Sequence, residues 1–190
     1  MWLKTSISTA RRAALAVVGG LLLTLLAAVT SATAAPVALS SLMGSPAQGT
    51  WRTLNGTEIT IAPCDAGFCG AITWVVVPKK NADLCRATEK TAFASLMLDY
   101  SNPDKSLQTR PILGLNMLTL TPTNDPTSFT VKVYNPQDGS TNDAQVFILN
   151  GGSTLRIGGG CIGNMCVQSQ DWPKAADRLD GPGFTCEGGE

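Results

Sequence analysis

Six cysteines and no histidine set the chemical repertoire of this 190-residue chain. Without His, a Ser-His-Asp triad, a Cys-His dyad, an imidazole-ligated zinc and a histidine pH switch are all excluded. Four of the cysteines fall in two C-x4-C segments, Cys64 with Cys69 and Cys161 with Cys166; Cys85 and Cys186 stand apart. Each segment encloses turn residues (Asp65-Ala66-Gly67 and Gly163-Asn164), so each pair can bridge its own tight hairpin at the Cα separation of about 5.5 Å that a disulfide needs. Cys85 and Cys186 are then left to each other. The rival is a four-thiolate zinc site assembled from both segments, whose spacing suits zinc. Thiols exposed to an oxidising compartment pair with one another, which favours three disulfides. No C-x-x-C is present for redox chemistry.

Asp99, Asn102 and Asp104 place three oxygen-bearing side chains within six residues, a set that could hold calcium. The D-x-D-x-D-G alternation and the late Glu are missing, and Asx-turns around Asn102-Pro103 explain the same residues, so their expected role is structural. Arg110 can grip a carboxylate or phosphate through two N–H groups, or pair with Asp99 or Asp104 to pin the loop. Trp74, Arg110 and Tyr134 form the expected ligand-contact set. No G-x-S-x-G occurs, and no carboxylate pair stands out among acids scattered over loops. No catalytic residue, metal site or cofactor is therefore assigned.

Residues 1–34 form a separate object. Lys4, Arg11 and Arg12 precede an apolar run from Ala13 to Val29 and the small residues Ala32-Thr33-Ala34. This is the pattern of a secretory signal peptide cut after Ala34. The run is at the short limit for a retained membrane anchor, and no stable span is expected after cleavage. Arg11-Arg12 raises a twin-arginine route, against which Ala13-Ala14 lacks a bulky residue. The whole-chain balance of 14 Lys+Arg against 14 Asp+Glu hides an acidic remainder, because the leader removes three positive charges and no negative ones. No broad basic surface remains for nucleic acid.

The elements that position these residues read as strands. After a loose lead-in over 35–48, period-two alternation runs through Ile59 and Ile61, through Ile72, Trp74 and Val76, and through Phe129, Val131 and Val133. Ala144, Val146 and Ile148 follow, then Leu155 and Ile157. The apolar stretch Ile112–Leu120 shows no single face, and Gly114 within it favours a strand over a helix. Turn residues such as Asn55-Gly56 and Asn135-Pro136-Gln137-Asp138-Gly139 separate the runs. Seven or eight short strands at this spacing predict an all-β antiparallel barrel or sandwich. Two stretches break the rhythm. An insert over 79–98 carries Ala92, Phe93, Leu96 and Met97 at the spacing of one amphipathic helix, and the tail over 173–190, rich in Gly, Pro and acid, reads as lying outside the sheet.

Eight short segments in order resemble a known family. They are Gly49-Thr50-Trp51, Ile59 to Cys64, Cys69 to Trp74, Asp99 to Asp104, Arg110 to Gly114, Val133 to Gly139, Leu155 to Gly158 with Gly160-Cys161, and Gln170 to Trp172. Together they resemble the bacterial secreted family called domain of unknown function 2147, over roughly residues 49–172. The resemblance implies a small antiparallel lipocalin-like β-barrel of about eight strands and supplies no activity. Relative to the family, the 79–98 insert and the 173–190 tail are additions, each carrying one Cys. The likeness to lipocalins also implies that Trp51 closes the barrel floor beneath an Arg from a late strand, here Arg156.

The expected function is a non-catalytic periplasmic binding module for a small apolar or amphipathic ligand. The alternative is an envelope protein-interaction or inhibitor module with disulfide-pinned loops, and a His-independent enzyme comes third. The barrel interior separates the first two: a cavity of a few hundred Å3 favours a ligand, and a bore filled with side chains favours interaction.

Overall fold

The structure, a computed structural model, describes residues 44–81, 85, 93 and 95–187. The leader over 1–34 and most of the lead-in lie outside the described residues. Nine strands follow in chain order: β1 Gly49–Arg52, β2 Glu58–Cys64, β3 Gly67–Val77, β4 Asn116–Pro122, β5 Ser128–Asn135, β6 Ser140–Leu149, β7 Thr154–Ile162, β8 Met165–Ala175 and β9 Gly183–Cys186. From β1 to β8 each strand pairs antiparallel with the next, and β8 returns to β1 to close the ring. This closed up-and-down meander is an antiparallel barrel of eight strands, with β9 added in parallel along Trp74–Val77 of β3.

Alternation decides which side chains fill the bore. Cross-strand partners share a face, so Phe68, Leu120 and Val131 form one inward row, and Phe129, Val146 and Ile157 another. Trp51, Ile59, Ile61, Ile72, Leu118, Leu155 and Trp172 complete a contiguous core. Phe68 meets Phe129 edge-to-face, with ring centroids 6.0 Å apart. The bore is thus filled by large side chains.

Three sequence expectations need correction. The apolar stretch 112–120 is not one strand: Gly114 has φ +86°, Leu115 closes a turn onto Ile112, and β4 begins only at Asn116. The tail belongs to the sheet, because Pro173–Ala175 completes β8 and Gly183–Cys186 forms β9. No alternation announces β9, since long-range contacts hold it: Cys186 is bonded to Cys85, and Phe184 stacks on Phe93 at 4.0 Å. Finally, Lys174 and not Arg156 covers Trp51, with Nζ 5.2 Å from the ring centroid. Lys174 is the β8 partner of Trp51, whereas Arg156 lies opposite Asp171 and pairs with it. Within the insert, Cys85, Phe93, Ser95 and Leu96 are helical, and the rest of the expected helix lies outside the described residues.

Candidate functional site

The loop before β4 is organised around Asp99, which is fully buried. Its Oδ2 accepts from Arg110 Nε at 2.8 Å and from Asn102 Nδ2 at 2.9 Å, and its Oδ1 accepts from the Tyr134 hydroxyl at 2.6 Å. Asn102 Oδ1 in turn accepts from the Asp104 amide, an Asx-turn, and Asp104 caps the short helix that follows. Burial pushes the Asp99 carboxyl up, but the hydrogen bonds from Tyr134, Asn102 and Arg110 outweigh it and hold the group below its ordinary range. Burial, together with the anionic acceptor, raises the Tyr134 hydroxyl. Both oxygens of Asp99 are engaged, so Asp99, Asn102 and Asp104 serve the loop. Arg110 and Tyr134 come together here, with the guanidinium 5.4 Å from the ring centroid.

Trp74 lies in different surroundings. Its ring is covered by Arg178 of the tail, 3.7 Å from the centroid, and Arg178 also pairs with Glu58 at 2.7 Å. Glu58 is buried and takes a second guanidinium, from Arg52, at 2.9 Å. Burial raises its carboxyl, and the two arginines bring it below the ordinary glutamate range. Thr50, Thr60 and Thr73 join hydroxyls along the same outer face at 2.9 and 2.8 Å, and Thr50 donates to Asp177 at 2.6 Å. A cavity of about 150 Å3 lies between these groups and the tail. Arg178 and Glu58 are 120 residues apart in the chain, so no local spacing marks the pair.

A second, larger concavity of about 480 Å3 lies across β4 to β7, lined by Thr119, Thr121, Thr130, Lys132, Asp143, Gln145 and the glycines 158–160. Lys132 and Asp143 pair across it at 2.9 Å. It is a groove of mixed character on the outside of the barrel, since Lys132, Asp143 and Gln145 are exposed and Ala66 and Ala144 also line it.

Beside this groove the β7–β8 hairpin leaves the barrel. β6 accompanies β7 only as far as Gly158, and β1 meets β8 only at Lys174 and Ala175. Beyond those points the hairpin is a two-stranded ribbon bridged by Cys161–Cys166. It folds back over its own root: Arg156 Nη1 donates to the Asn164 carbonyl in the turn at 3.1 Å, while Arg156 holds Asp171 through two 2.7 Å bonds. A Cβ on Gly158 would stand 2.8 Å from Cβ of Cys166, so the bend requires glycine there. Ile162, Met165 and Val167 on this ribbon are 84%, 71% and 85% exposed. In the sequence, the mark of this ribbon beyond its cysteines is the loss of alternation from Met165 to Asp171, which leaves these residues no buried face.

All six cysteines are in disulfides, Cys64–Cys69, Cys161–Cys166 and Cys85–Cys186, so no thiolate is left for zinc. Among the described residues, no helix is long and apolar enough to cross a membrane.

Residues 49–174 match the profile of a family described as an uncharacterised protein conserved in bacteria, DUF2147. No curated protein matches the chain. Among solved structures, the chain is similar to a protein from Helicobacter pylori described as belonging to the lipocalin family. The TM-score is 0.47 and the identity 16%, over 69% of this chain and 84% of that one.

Proposed function

The chain belongs to the DUF2147 family, and we propose that it is an exported, non-catalytic interaction module whose barrel is a rigid mount for the β7–β8 ribbon. One observation carries this reading: the bore is packed with side chains, while Ile162, Met165 and Val167 are held out in solvent on a disulfide-braced ribbon. Apolar side chains clustered and pre-positioned in this way mark contact with another macromolecule. The chemistry of the buried acids agrees. A general acid needs a raised pKa, whereas Glu58 and Asp99 are both lowered and tied to arginines. Export through a leader cut after Ala34, into the periplasm or beyond, accounts for three disulfides in one chain.

A second reading, small-molecule binding, rests on the 480 Å3 groove. Its threonines, Lys132 and Asp143, beside Ala66 and Ala144, suit the amphipathic form of the expected ligand, held on the outer face instead of in the bore. The two readings part under photo-crosslinking in the native envelope, with the probe at Val167 or at Thr121. Protein adducts confined to Val167 support the interaction module. A small molecule that co-purifies in native mass spectrometry, with no adduct at Val167, overturns it.

A further inference from the structure

We infer that the open edge of β8 is a dimerisation seam whose occupant is a second copy of this chain, paired antiparallel across residues 165–171. The inference rests on the ribbon being an interaction surface and names its partner.

A closed barrel normally leaves no strand edge. Here closure is incomplete, because β1 meets β8 only through Trp51↔Lys174 and Thr50↔Ala175. From Met165 to Asp171, among the described residues, β8 has β7 as its one strand neighbour. The strand at the end of the sheet, β9, is four residues long and is tied down by Cys85–Cys186. Exposed edges are ordinarily guarded by lysines, prolines or inward charges. The seven residues Met165–Asp171 hold no Lys, Arg or Pro, and their one charge, Asp171, is neutralised by Arg156.

Two-fold symmetry then selects the pairing. Residues opposite one another in an antiparallel pair share a face, and a two-fold axis normal to the sheet keeps that face in both copies, so partners must be an even number of positions apart. The register that uses all seven residues sets Gln168 against Gln168, Val167 against Ser169 and Met165 against Asp171. No like charges meet, and Pro173 stays outside the pairing. Val167 and Met165 of each copy lose solvent in the same step. The disulfide and the Arg156 bonds hold the edge in shape before association, which lowers its ordering cost.

The test is sedimentation equilibrium of the exported, oxidised chain. Wild type is expected at twice the chain mass in the micromolar range. Gln168→Lys and Gln168→Glu each set like charges against each other at the axis and weaken association by at least about tenfold. An equal mixture of the two restores the dimer, because opposite charges now meet. Residue 168 is exposed, so both variants are expected to melt like wild type. A wild-type monomer, or two variants that associate as wild type does, overturns the seam. If the monomer still gives protein adducts at Val167, the seam fails and the interaction reading stands; with neither dimer nor adduct, both fail. A monomer whose edge amides at 167–169 resist hydrogen exchange would place another segment of the same chain there and also overturns the proposal.

Discussion

The β2–β3 and β7–β8 hairpins are each closed by a disulfide between cysteines five residues apart, yet Phe68 inside the first loop is buried while Ile162 and Met165 inside the second stand in solvent. The difference lies in the neighbouring strands. β4 runs beside β3 as far as Phe68↔Leu120, so the first hairpin is covered almost to its tip. The second outruns both β6 and β1. A lone two-stranded ribbon is marginal in water, so the Cys161–Cys166 bridge stands in for missing sheet neighbours, whereas Cys64–Cys69 reinforces a hairpin the sheet already holds. One spacing in the sequence therefore encodes a staple flanked by sheet neighbours in one place and a displayed edge in the other.

Side-chain truncation should show this contrast at its largest. Phe68→Ala removes a ring packed on Phe129 and is expected to cost about 3–5 kcal/mol in urea unfolding. In the Gln168→Lys background, where association is weakened, Val167→Ala should cost less than about 0.5 kcal/mol, the usual scale for an exposed site. Comparable losses would mean that the ribbon is buried after all.

Backbone substitution comes next. Gly67 has φ +117°, and a Cβ there would lie 2.7 Å from the Leu120 carbonyl, so Gly67→Ala must strain the turn and push β3 from β4, at a cost of about 3 kcal/mol. Gly163 has φ +59° with nothing near its Cβ, and Gly163→Ala should cost about 1 kcal/mol from backbone conformation alone. Thermal unfolding of the two variants side by side checks the order.

Removing the disulfides isolates the folded state. Both close loops of equal sequence separation, so constraint of the unfolded chain contributes the same amount to each, about 2 kcal/mol. Cys64→Ser/Cys69→Ser should lose about that amount with hydrogen exchange of β2 and β3 little changed. Cys161→Ser/Cys166→Ser should lose a similar amount globally while amides from Gly159 to Gln168 exchange far faster. Fast exchange at both hairpins, or at neither, would erase the distinction.

How much of this the sequence discloses follows from the range of the interactions. The barrel is legible because Phe129-Thr130-Val131-Lys132-Val133 alternates within five residues and turn residues bound it. The loop around Asp99 is half legible: Asn102-Pro103-Asp104 is a local Asx pattern, and an Arg110 partnership with Asp99 was among the options. Tyr134 donates to Asp99 from 35 residues away, a contact no local pattern marks. The Glu58–Arg178 pair, the parallel strand β9 and the exchange of Lys174 for Arg156 over Trp51 all depend on chain segments meeting from afar, and no local period marks them. The ribbon is the opposite case. Its cysteines are plain in the sequence, but its exposure follows from where β6 and β1 stop.

The smallest effect concerns acid. Asp171 at the ribbon root is lowered chiefly by its hydrogen bonds from Arg156, with burial acting against them. A carboxylate with a depressed folded-state pKa contributes stability above its unfolded value, near 3.8, and loses it as the pH falls through the lower folded value. Below that point Arg156 is released from Asp171, and the Asn164 carbonyl it also holds is freed to move. The pair is partly exposed, so the barrel should barely register the change. Amides of 163–167 should nevertheless exchange faster, after correction for intrinsic rates, once the pH is taken below that folded value than at pH 6. Asp171→Asn should show the faster exchange at both pH values. The β2–β3 tip gives the control, since no arginine bonds Asp65 there and its amides should respond to pH only through global unfolding. If both tips respond alike, the Arg156 tether does not hold the ribbon.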